Sequence, residues 1–157
     1  IKDSDSLDLD KGFTFGMWVY REKSKKEQRS IFAKYGNSMD KQDVAYALKD
    51  WDRPILSLSD FDESYIEEFD SFEDKYTPTG KWFYYTATYN GNTIKLYING
   101  KLIKSQEYSA DVSNSTGPLW IGGDTSGNYF KGIMDEFRIY NYALTSAQIK
   151  KLYKAKK

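Results

Sequence analysis

The sequence has no cysteine and no histidine, and only 3 of its 157 residues are proline. It therefore cannot form disulfides, thiolate or imidazole zinc sites, or the Ser-His and Cys-His pairs of nucleophilic enzymes. No apolar run approaches the roughly 18 residues of a membrane-spanning helix, so we expect no membrane insertion. The chain begins at Ile1 rather than Met, and we expect it to be processed or excised from a longer protein, without any signal peptide.

Net charge is also absent, because 23 basic residues balance 23 acidic ones. A neutral chain lacks the positive field that draws proteins to nucleic acid or anionic membranes, so neither is an expected partner. Aromatic residues, in contrast, make up 17% of the chain and include 14 Tyr. This composition is typical of strands and recognition surfaces, and the length fits one domain with a sizeable core.

Short strand patterns separated by turn residues dominate the chain. The clearest covers residues 13–20, where Phe13, Phe15, Met17 and Val19 alternate with other residues and predict one buried face. Further strands are predicted at residues 30–35, 44–48, 55–58, 119–122 and 130–140. The pattern indicates an all-β fold.

Two Asn-Gly pairs, Asn90-Gly91 and Asn99-Gly100, predict consecutive hairpins with two-residue turns, because both central positions of a type I′ turn need a positive φ. Counting outward from the turns predicts the facing pairs Tyr85–Leu96, Ala87–Ile94 and Leu96–Ile103. The sequence therefore predicts a three-stranded meander that carries an apolar row.

The C-terminal residues predict a short helix. Thr145 is the expected N-cap, and Gln148, three residues later, completes a capping box. Leu144 and Ile149 occupy the two positions of a hydrophobic staple. The expected buried stripe of the helix consists of Ile149, Leu152 and Tyr153.

Residues 60–76 do not fit the strand pattern. Aromatic residues recur there at spacings of 4, 4, 3 and 4, with acidic residues between them. Two interpretations stay open: an acidic surface loop held by its aromatic side chains, and a short amphipathic helix lying over one sheet.

Four stretches in chain order resemble the bacterial laminin-G-like family. They are SLDL at residues 6–9 with FTFGMWV at 13–19, GKWF at 80–83, LYINGK at 96–101, and GIMDEFRIYNYAL at 132–144 before the capped helix. The resemblance implies a concanavalin A-like jelly roll, which is a two-sheet antiparallel sandwich with a short C-terminal helix, as one domain over residues 1–157. Members of the family carry a further strand before the first stretch, so we expect this domain to lack its first strand.

The same resemblance implies an extracellular module that binds a glycan or a protein. Sandwiches of this kind also include glycoside hydrolases, which need two carboxylates roughly 5 Å or 6.5–9.5 Å apart. The strand motifs Glu-x-Asp-x-x-Glu and Glu-x-Asp-x-Glu that supply these carboxylates in such hydrolases do not occur here. We therefore expect no catalytic activity.

Asp135 is the candidate metal ligand. It shares the parity of Phe137 and Ile139 on the last strand, which places its carboxylate on the core face, where an unpaired charge is very costly. Either a structural calcium ion, as related sandwiches often carry, or loop backbone amides would satisfy the carboxylate. Both interpretations stay open.

Three polar loops are candidate ligand-binding sites, because glycan-binding sandwiches combine an aromatic ring with polar loop groups. Trp51, with Asp52 and Arg53, stands at an expected hairpin tip, although its ring has the alternative of folding onto the sheet edge. The other residues chosen are Asn37, Asp40, Asp124, Asn128 and Tyr129. The tryptophans on predicted strands, Trp18, Trp82 and Trp120, are expected to pack instead.

Two functions are compatible with these features. The first is a non-catalytic carbohydrate-binding module of a larger secreted or surface protein, with a glycan or polysaccharide and the other domains of the parent chain as partners. The second is a protein-interaction or structural spacer domain of an adhesin or surface filament. Exposure of Trp51 and of the loop at residues 124–129 distinguishes them, because the first needs an accessible aromatic ring.

Overall fold

The computed structural model describes residues 1–9, 11–22, 29–35, 44–50, 54–59, 66–70, 78–109, 112 and 114–155. The strands are β1 (Phe13–Arg21), β2 (Arg29–Tyr35), β3 (Val44–Asp50), β4 (Pro54–Ser59), β5 (Ile66–Asp70), β6 (Trp82–Tyr89), β7 (Thr93–Ile98), β8 (Lys101–Glu107), β9 (Leu119–Ile121) and β10 (Gly132–Tyr140). A 3₁₀ turn at Asp5–Leu7 precedes them and the helix α1 (Ser146–Lys154) follows. The chain divides into two compact units, each built on one five-stranded antiparallel sheet.

The first sheet, here called the β1 sheet, has the strand order β10-β1-β6-β7-β8. Strand β1, which lies between β10 and β6, confirms the predicted buried face, because Phe13, Phe15, Met17 and Val19 are all fully buried. On the neighbouring strand β6, Tyr85 pairs with Met17 and is also fully buried. Burial of these large apolar side chains stabilises this sheet, at about 1.5–3 kcal/mol for each side chain.

The second sheet, here called the β2 sheet, has the strand order β5-β4-β3-β2-β9. The predicted hairpin between β3 and β4 is confirmed by the pairing of Tyr46 with Leu58. Ile66–Asp70 forms an edge strand that pairs with β4. Neither interpretation of residues 60–76, loop or helix, holds for these five residues, because the open edge of β4 offers backbone hydrogen bonds that override the helical spacing.

The N-terminal residues lie along the opposite edge of the β2 sheet. The backbone nitrogen and oxygen of Ile1 bond to the backbone oxygen and nitrogen of Leu119, at 2.8 and 2.9 Å. Lys34, which is fully buried, donates to the Asp3 carboxylate and to the backbone oxygens of Ser115 and Gly117. These bonds compensate the buried ammonium and hold three segments together. The expectation of a missing first strand stays a prediction.

The second Asn-Gly turn is confirmed as a two-residue turn. Asn99 and Gly100 have φ angles of 52° and 72°, and Ile98 pairs with Lys101 across the turn. Both signs of φ are those that a type I′ turn requires.

The facing pairs predicted around the two turns are wrong. Leu96 faces Ala87 on β6 and Lys104 on β8, whereas the predicted partners were Tyr85 and Ile103. On the β8 side, Ile103 is an extra residue at a β-bulge, so the count from the turn is off by one.

Asn90 explains the shift on the β6 side. Its backbone does not adopt a positive φ, and its Oδ1 accepts the backbone N–H groups of Asn92 and Thr93 at 3.1 and 2.8 Å. This side-chain turn moves the register by two residues, so that Ile94 faces Tyr89 instead of its predicted partner. Because this shift is even, the side chains of β6 and β7 keep the faces that were predicted, whereas the odd shift at the β8 bulge puts Lys104 rather than Ile103 opposite Leu96.

The C-terminal helix is confirmed with its capping box. The Thr145 Oγ1 accepts the Gln148 backbone N–H at 3.3 Å, and the Gln148 Oε1 accepts the Thr145 backbone N–H at 2.8 Å. Ile149 is fully buried and packs with Leu144 against Tyr97 of the β1 sheet. The predicted staple and the apolar face of the helix therefore attach α1 to this sheet.

Replacing Thr145 by Ala removes the acceptor of the capping box. We expect the free energy of unfolding, measured by urea titration, to fall by about 1 kcal/mol. The matched variant Thr145→Ser keeps a hydroxyl acceptor and should stay within a few tenths of a kcal/mol of the parent chain. Equal stabilities for the Ala variant and the parent chain would contradict the role given to this cap.

Candidate functional site

The predicted ligand-binding residues separate into two groups. Asn37, Asp40, Trp51, Asp52 and Arg53 lie outside the described residues, so their assignment stays a prediction. The other three residues stand together in the loop that follows β9, namely Asp124, Asn128 and Tyr129. This loop is the candidate site, and it is called the Tyr129 loop below (residues 122–130).

The Tyr129 loop is closed at its base by backbone hydrogen bonds. The Phe130 N–H donates to the Gly122 carbonyl at 3.0 Å, which joins its two ends. The Gly122 N–H donates to the Ile31 carbonyl at 2.7 Å, and the Ser30 N–H donates to the Asn128 carbonyl at 3.0 Å. The loop is therefore fixed to β2, a central strand of its sheet.

Asp124 organises the interior of the loop and is only 5% exposed. Its Oδ1 accepts the backbone N–H groups of Ser126 and Asn128 at 2.9 and 3.1 Å. Its Oδ2 accepts the Ser30 hydroxyl at 2.5 Å and the Asn128 side-chain amide at 3.0 Å. These four donors satisfy both oxygens and compensate the burial of the charge.

The pKa of Asp124 reflects the same environment. Burial of the carboxyl raises the pKa, but the hydrogen bonds from the Ser30 and Asn128 side chains and from the Asn128 and Ser126 amides outweigh burial. The net pKa is therefore below the usual value of an aspartic acid. Asp124 is a charged, positioning residue at neutral pH, and a direct contact between it and a ligand stays a prediction.

Tyr129 is the exposed aromatic ring of the loop, at 68% exposure. The ring lies on the backbone of Gly123, where an added Cβ would come within 2.8 Å of the Tyr129 Cδ1. The expected polar loop ending in an accessible aromatic ring is therefore present. The sequence analysis did not identify Gly123 or Ser30 as part of this loop's support. The adjacent glycines at 122 and 123 were the one local sign that a side chain lies close to the backbone there.

Two of the three tryptophans that were expected to pack are partly exposed instead. Trp120 is 41% exposed because β9 is an edge strand of its sheet, and Trp82 is 44% exposed because it begins β6. Trp18 is half-buried and packs against Tyr84 and Tyr153, with ring centroids 5.3 and 5.6 Å apart. Only Trp18 matches the expectation.

Asp135 is exposed, which corrects the expectation that it faces the core. A β-bulge in β10 interrupts the alternation between Arg138, which pairs with Gly16, and Asp135, which pairs with Trp18. The Asp135 Oδ1 accepts the Glu136 backbone N–H at 2.8 Å. The carboxylate therefore bonds to a backbone amide, as in the second interpretation, although the donor lies in the strand rather than in a loop.

The described residues place no cluster of metal-ligating side chains around Asp135. Within the described part of the chain, no three carboxylate, imidazole or thiolate side chains lie close enough to hold a metal. The neighbouring Glu136 carboxylate pairs with Arg138 at 2.9 Å, whereas calcium needs six to eight oxygen ligands. Calcium binding stays a prediction that isothermal titration can test.

Among the described residues, α1 is too short and polar to span a membrane.

A family model described as "Concanavalin A-like lectin/glucanases superfamily" (Laminin_G_3) matches residues 1–150. Pappalysin-1 of Homo sapiens is 24% identical over 155 residues, which is 87% of this chain and 9% of that protein. Pappalysin-1 of Mus musculus is 27% identical over 75 residues, which is 45% of this chain and 5% of that protein. The chain thus spans less than a tenth of the curated relatives it matches, and a bacterial origin stays a prediction.

Several solved structures are similar over nearly the whole chain. The binding domain of Paraclostridial Mosquitocidal Protein 1 is 22% identical with a TM-score of 0.73, covering 97% of this chain and 39% of that one. Domain 4 of AbnA, a GH43 extracellular arabinanase from Geobacillus stearothermophilus in complex with arabinotriose, is 22% identical with a TM-score of 0.72, covering 94% and 69%. The botulinum neurotoxin serotype G binding domain is 18% identical with a TM-score of 0.72, covering 97% and 39%. These likenesses confirm the predicted fold class, an all-β jelly roll of two antiparallel sheets with a short C-terminal helix.

Replacing Asp124 by Asn tests its positioning role. At pH 7 we expect the free energy of unfolding to fall by about 1–3 kcal/mol, because charge-assisted hydrogen bonds inside the loop are lost. A carboxyl whose pKa is lowered in the folded state stabilises the fold above its unfolded pKa, and this stabilisation is lost as the pH falls through the folded pKa. The difference in free energy of unfolding between the variant and the parent chain should therefore be constant above about pH 5. It should shrink below pH 3.8, which is the ordinary pKa of an aspartic acid.

Urea titrations at pH 7, 5 and 3 provide the measurement. Asp135→Asn is the matched control, because Asp135 is exposed and its Oδ1 accepts a hydrogen bond from the neighbouring Glu136 amide. This substitution should change stability by less than about 0.5 kcal/mol. If Asp124→Asn lowered the free energy of unfolding by the same amount at pH 3 and pH 7, the stabilisation attributed to the charged carboxylate would be wrong.

Proposed function

The chain belongs to the concanavalin A-like lectin/glucanases superfamily, and we propose that it is a non-catalytic carbohydrate-binding module of a larger secreted or surface protein. The observation that carries the proposal is Tyr129, an aromatic ring that is 68% exposed on a loop braced from within by Asp124. An exposed aromatic ring on a loop that is held in one conformation offers a preorganised apolar face on which a sugar ring can stack.

The chemistry of the Tyr129 loop suits a sugar. The ring offers an apolar face to the C–H groups of a pyranose or furanose, and the exposed Thr125 and Ser126 of the same loop supply hydroxyl groups. Because Asp124 and Gly123 hold the loop and the ring in place, little conformational entropy is lost when a ligand binds. Domain 4 of AbnA, which was solved with arabinotriose, makes arabino-oligosaccharides the first probes to test.

The expected affinity of one such site is low. Covering about 100 Å² of ring face at ~25 cal/mol per Å² contributes about 2.5 kcal/mol. With a few hydrogen bonds this corresponds to roughly millimolar dissociation constants. A module of this kind works through repeated contacts along a polymer or through neighbouring modules, since linked weak sites gain avidity.

A hydrolytic function receives no support from the sequence. There is no histidine or cysteine, and the paired-carboxylate strand motifs of hydrolases with this fold do not occur. The alternative function, a protein-interaction or spacer domain, is an outcome of the test below.

The test is affinity electrophoresis in gels containing arabinan, xylan, cellulose derivatives or chitin derivatives, followed by titration with a trisaccharide panel of arabinotriose, xylotriose, cellotriose and chitotriose. We expect at least one polysaccharide to retard the parent chain. Tyr129→Ala should weaken binding at least about tenfold, which is 1.4 kcal/mol.

Tyr142→Ala is the matched control for this substitution. Tyr142 is also an exposed tyrosine, at 53%, but it lies in the unit of the β1 sheet and meets Tyr140 edge to face. Its removal should leave retardation unchanged. A chain that no polysaccharide retards, or a Tyr129→Ala variant that binds like the parent, would contradict the proposal, and a defined protein partner would then favour the alternative.

A further inference from the structure

A second exposed aromatic surface lies on the β1 sheet. Tyr20 on β1 pairs directly with Trp82 on β6 and with Ile133 on β10, so the three side chains form one row on one face of three adjacent strands. Trp82 is 44% exposed and Ile133 is 56% exposed. This row, together with Asp135, is called the Trp82 face.

The two rings of the Trp82 face contact each other and lie next to further aromatic side chains on the same face. The Tyr20 and Trp82 centroids are 5.7 Å apart with the planes tilted by 55°. On the same face, one step along the strands, Trp18 packs against Tyr84 and against Tyr153 of α1. The exposed rings therefore border a packed aromatic layer and present a preformed surface.

The β-bulge in β10 places a carboxylate on this face. On one side of the bulge Arg138 pairs with Gly16, and on the other side Asp135 pairs with Trp18. If β10 continued in the register of the Gly16–Arg138 pair without a bulge, Asp135 would pair with Val19, whose side chain is fully buried on the opposite face. The bulge therefore moves Asp135 from the core face to the exposed aromatic face.

The bulge also carries backbone strain. Glu136 has a φ of 51°, which is uncommon for a residue with a side chain. Such strain costs about 1–3 kcal/mol and is concentrated at functional sites, where the surrounding structure maintains it. Here its result is an exposed carboxylate diagonally across from Tyr20 and two residue pairs along the strands from the Ile133–Tyr20–Trp82 row.

We propose that the Trp82 face is a second glycan-binding platform, in which a sugar ring stacks on Trp82 and Tyr20 and donates a hydroxyl hydrogen bond to Asp135. This inference rests on the proposed function, because it assigns a second site to the same class of ligand. The face measures about 10 Å across three strands and about 7 Å along them. That footprint matches a mono- or disaccharide and is far below the ~800 Å² that each partner buries in a stable protein interface.

The test uses the indole N–H signals of the chain's 4 tryptophans in two-dimensional NMR, assigned by single Trp→Phe variants. The parent chain and Tyr129→Ala are titrated with each member of the trisaccharide panel to about 20 mM. We expect the Trp82 signal to move and saturate in both proteins. Asp135→Asn should weaken this titration about three- to tenfold, because the neutral amide accepts a weaker hydrogen bond.

Trp120→Ala is the matched control, since Trp120 is equally exposed, at 41%, in the unit of the β2 sheet. It should leave the Trp82 titration unchanged. Because Asp135 is exposed, its Asn variant should fold, and it tests the proposal without removing an aromatic ring of the Trp82 face.

Three results would overturn the inference. The first is a Trp82 signal that stays still while a trisaccharide binds elsewhere, which leaves the proposed function intact. The second is a Trp82 signal that moves in a separate titration with choline but not with any trisaccharide, which would make the face a cation site. The third is a parent chain that binds no member of the panel, which overturns the proposed function as well.

Discussion

The β-bulge in β10 opposite Met17 determines which β10 side chains lie on the exposed face of the β1 sheet. Strand side chains alternate between two faces, so one extra residue exchanges the faces of everything beyond it. On the C-terminal side of the bulge Ile139 pairs with Phe15 on the buried face, and on its N-terminal side Asp135 pairs with Trp18 on the exposed face. A charge that would be costly in the core lies instead beside exposed aromatic rings.

The elements that depend on local patterns were predictable from the sequence. The alternation in β1 and the capping box of Thr145 and Gln148 need only neighbouring residues, and both are confirmed. The facing pairs of the meander were not predictable, because Asn90 makes a side-chain turn and Ile103 is an extra residue in β8. Bulges and side-chain turns depend on hydrogen bonds that a hydrophobic pattern does not encode.

The candidate site was predictable only in part, for the same reason. A polar loop ending in an aromatic ring was visible in the sequence, and Tyr129 is exposed as expected. The burial of Asp124 was not visible, because one of its four donors is Ser30, 94 residues earlier in the chain. Because Asp124 is buried by contacts that include Ser30, its role is to hold the loop, and Tyr129 is the accessible group. The exposure of Trp82 and Trp120 likewise depends on strand position rather than on residue type.

We propose that aromatic rings on two separate elements, the Tyr129 loop and the Trp82 face, each bind sugars weakly. The most direct measurement is polysaccharide retardation of the folded double variant Tyr129→Ala/Trp82→Ala, compared with each single variant, with near-ultraviolet circular dichroism as the check of folding. The account predicts partial retardation for each single variant and none for the double variant. A folded double variant that is retarded as strongly as the parent chain would contradict it.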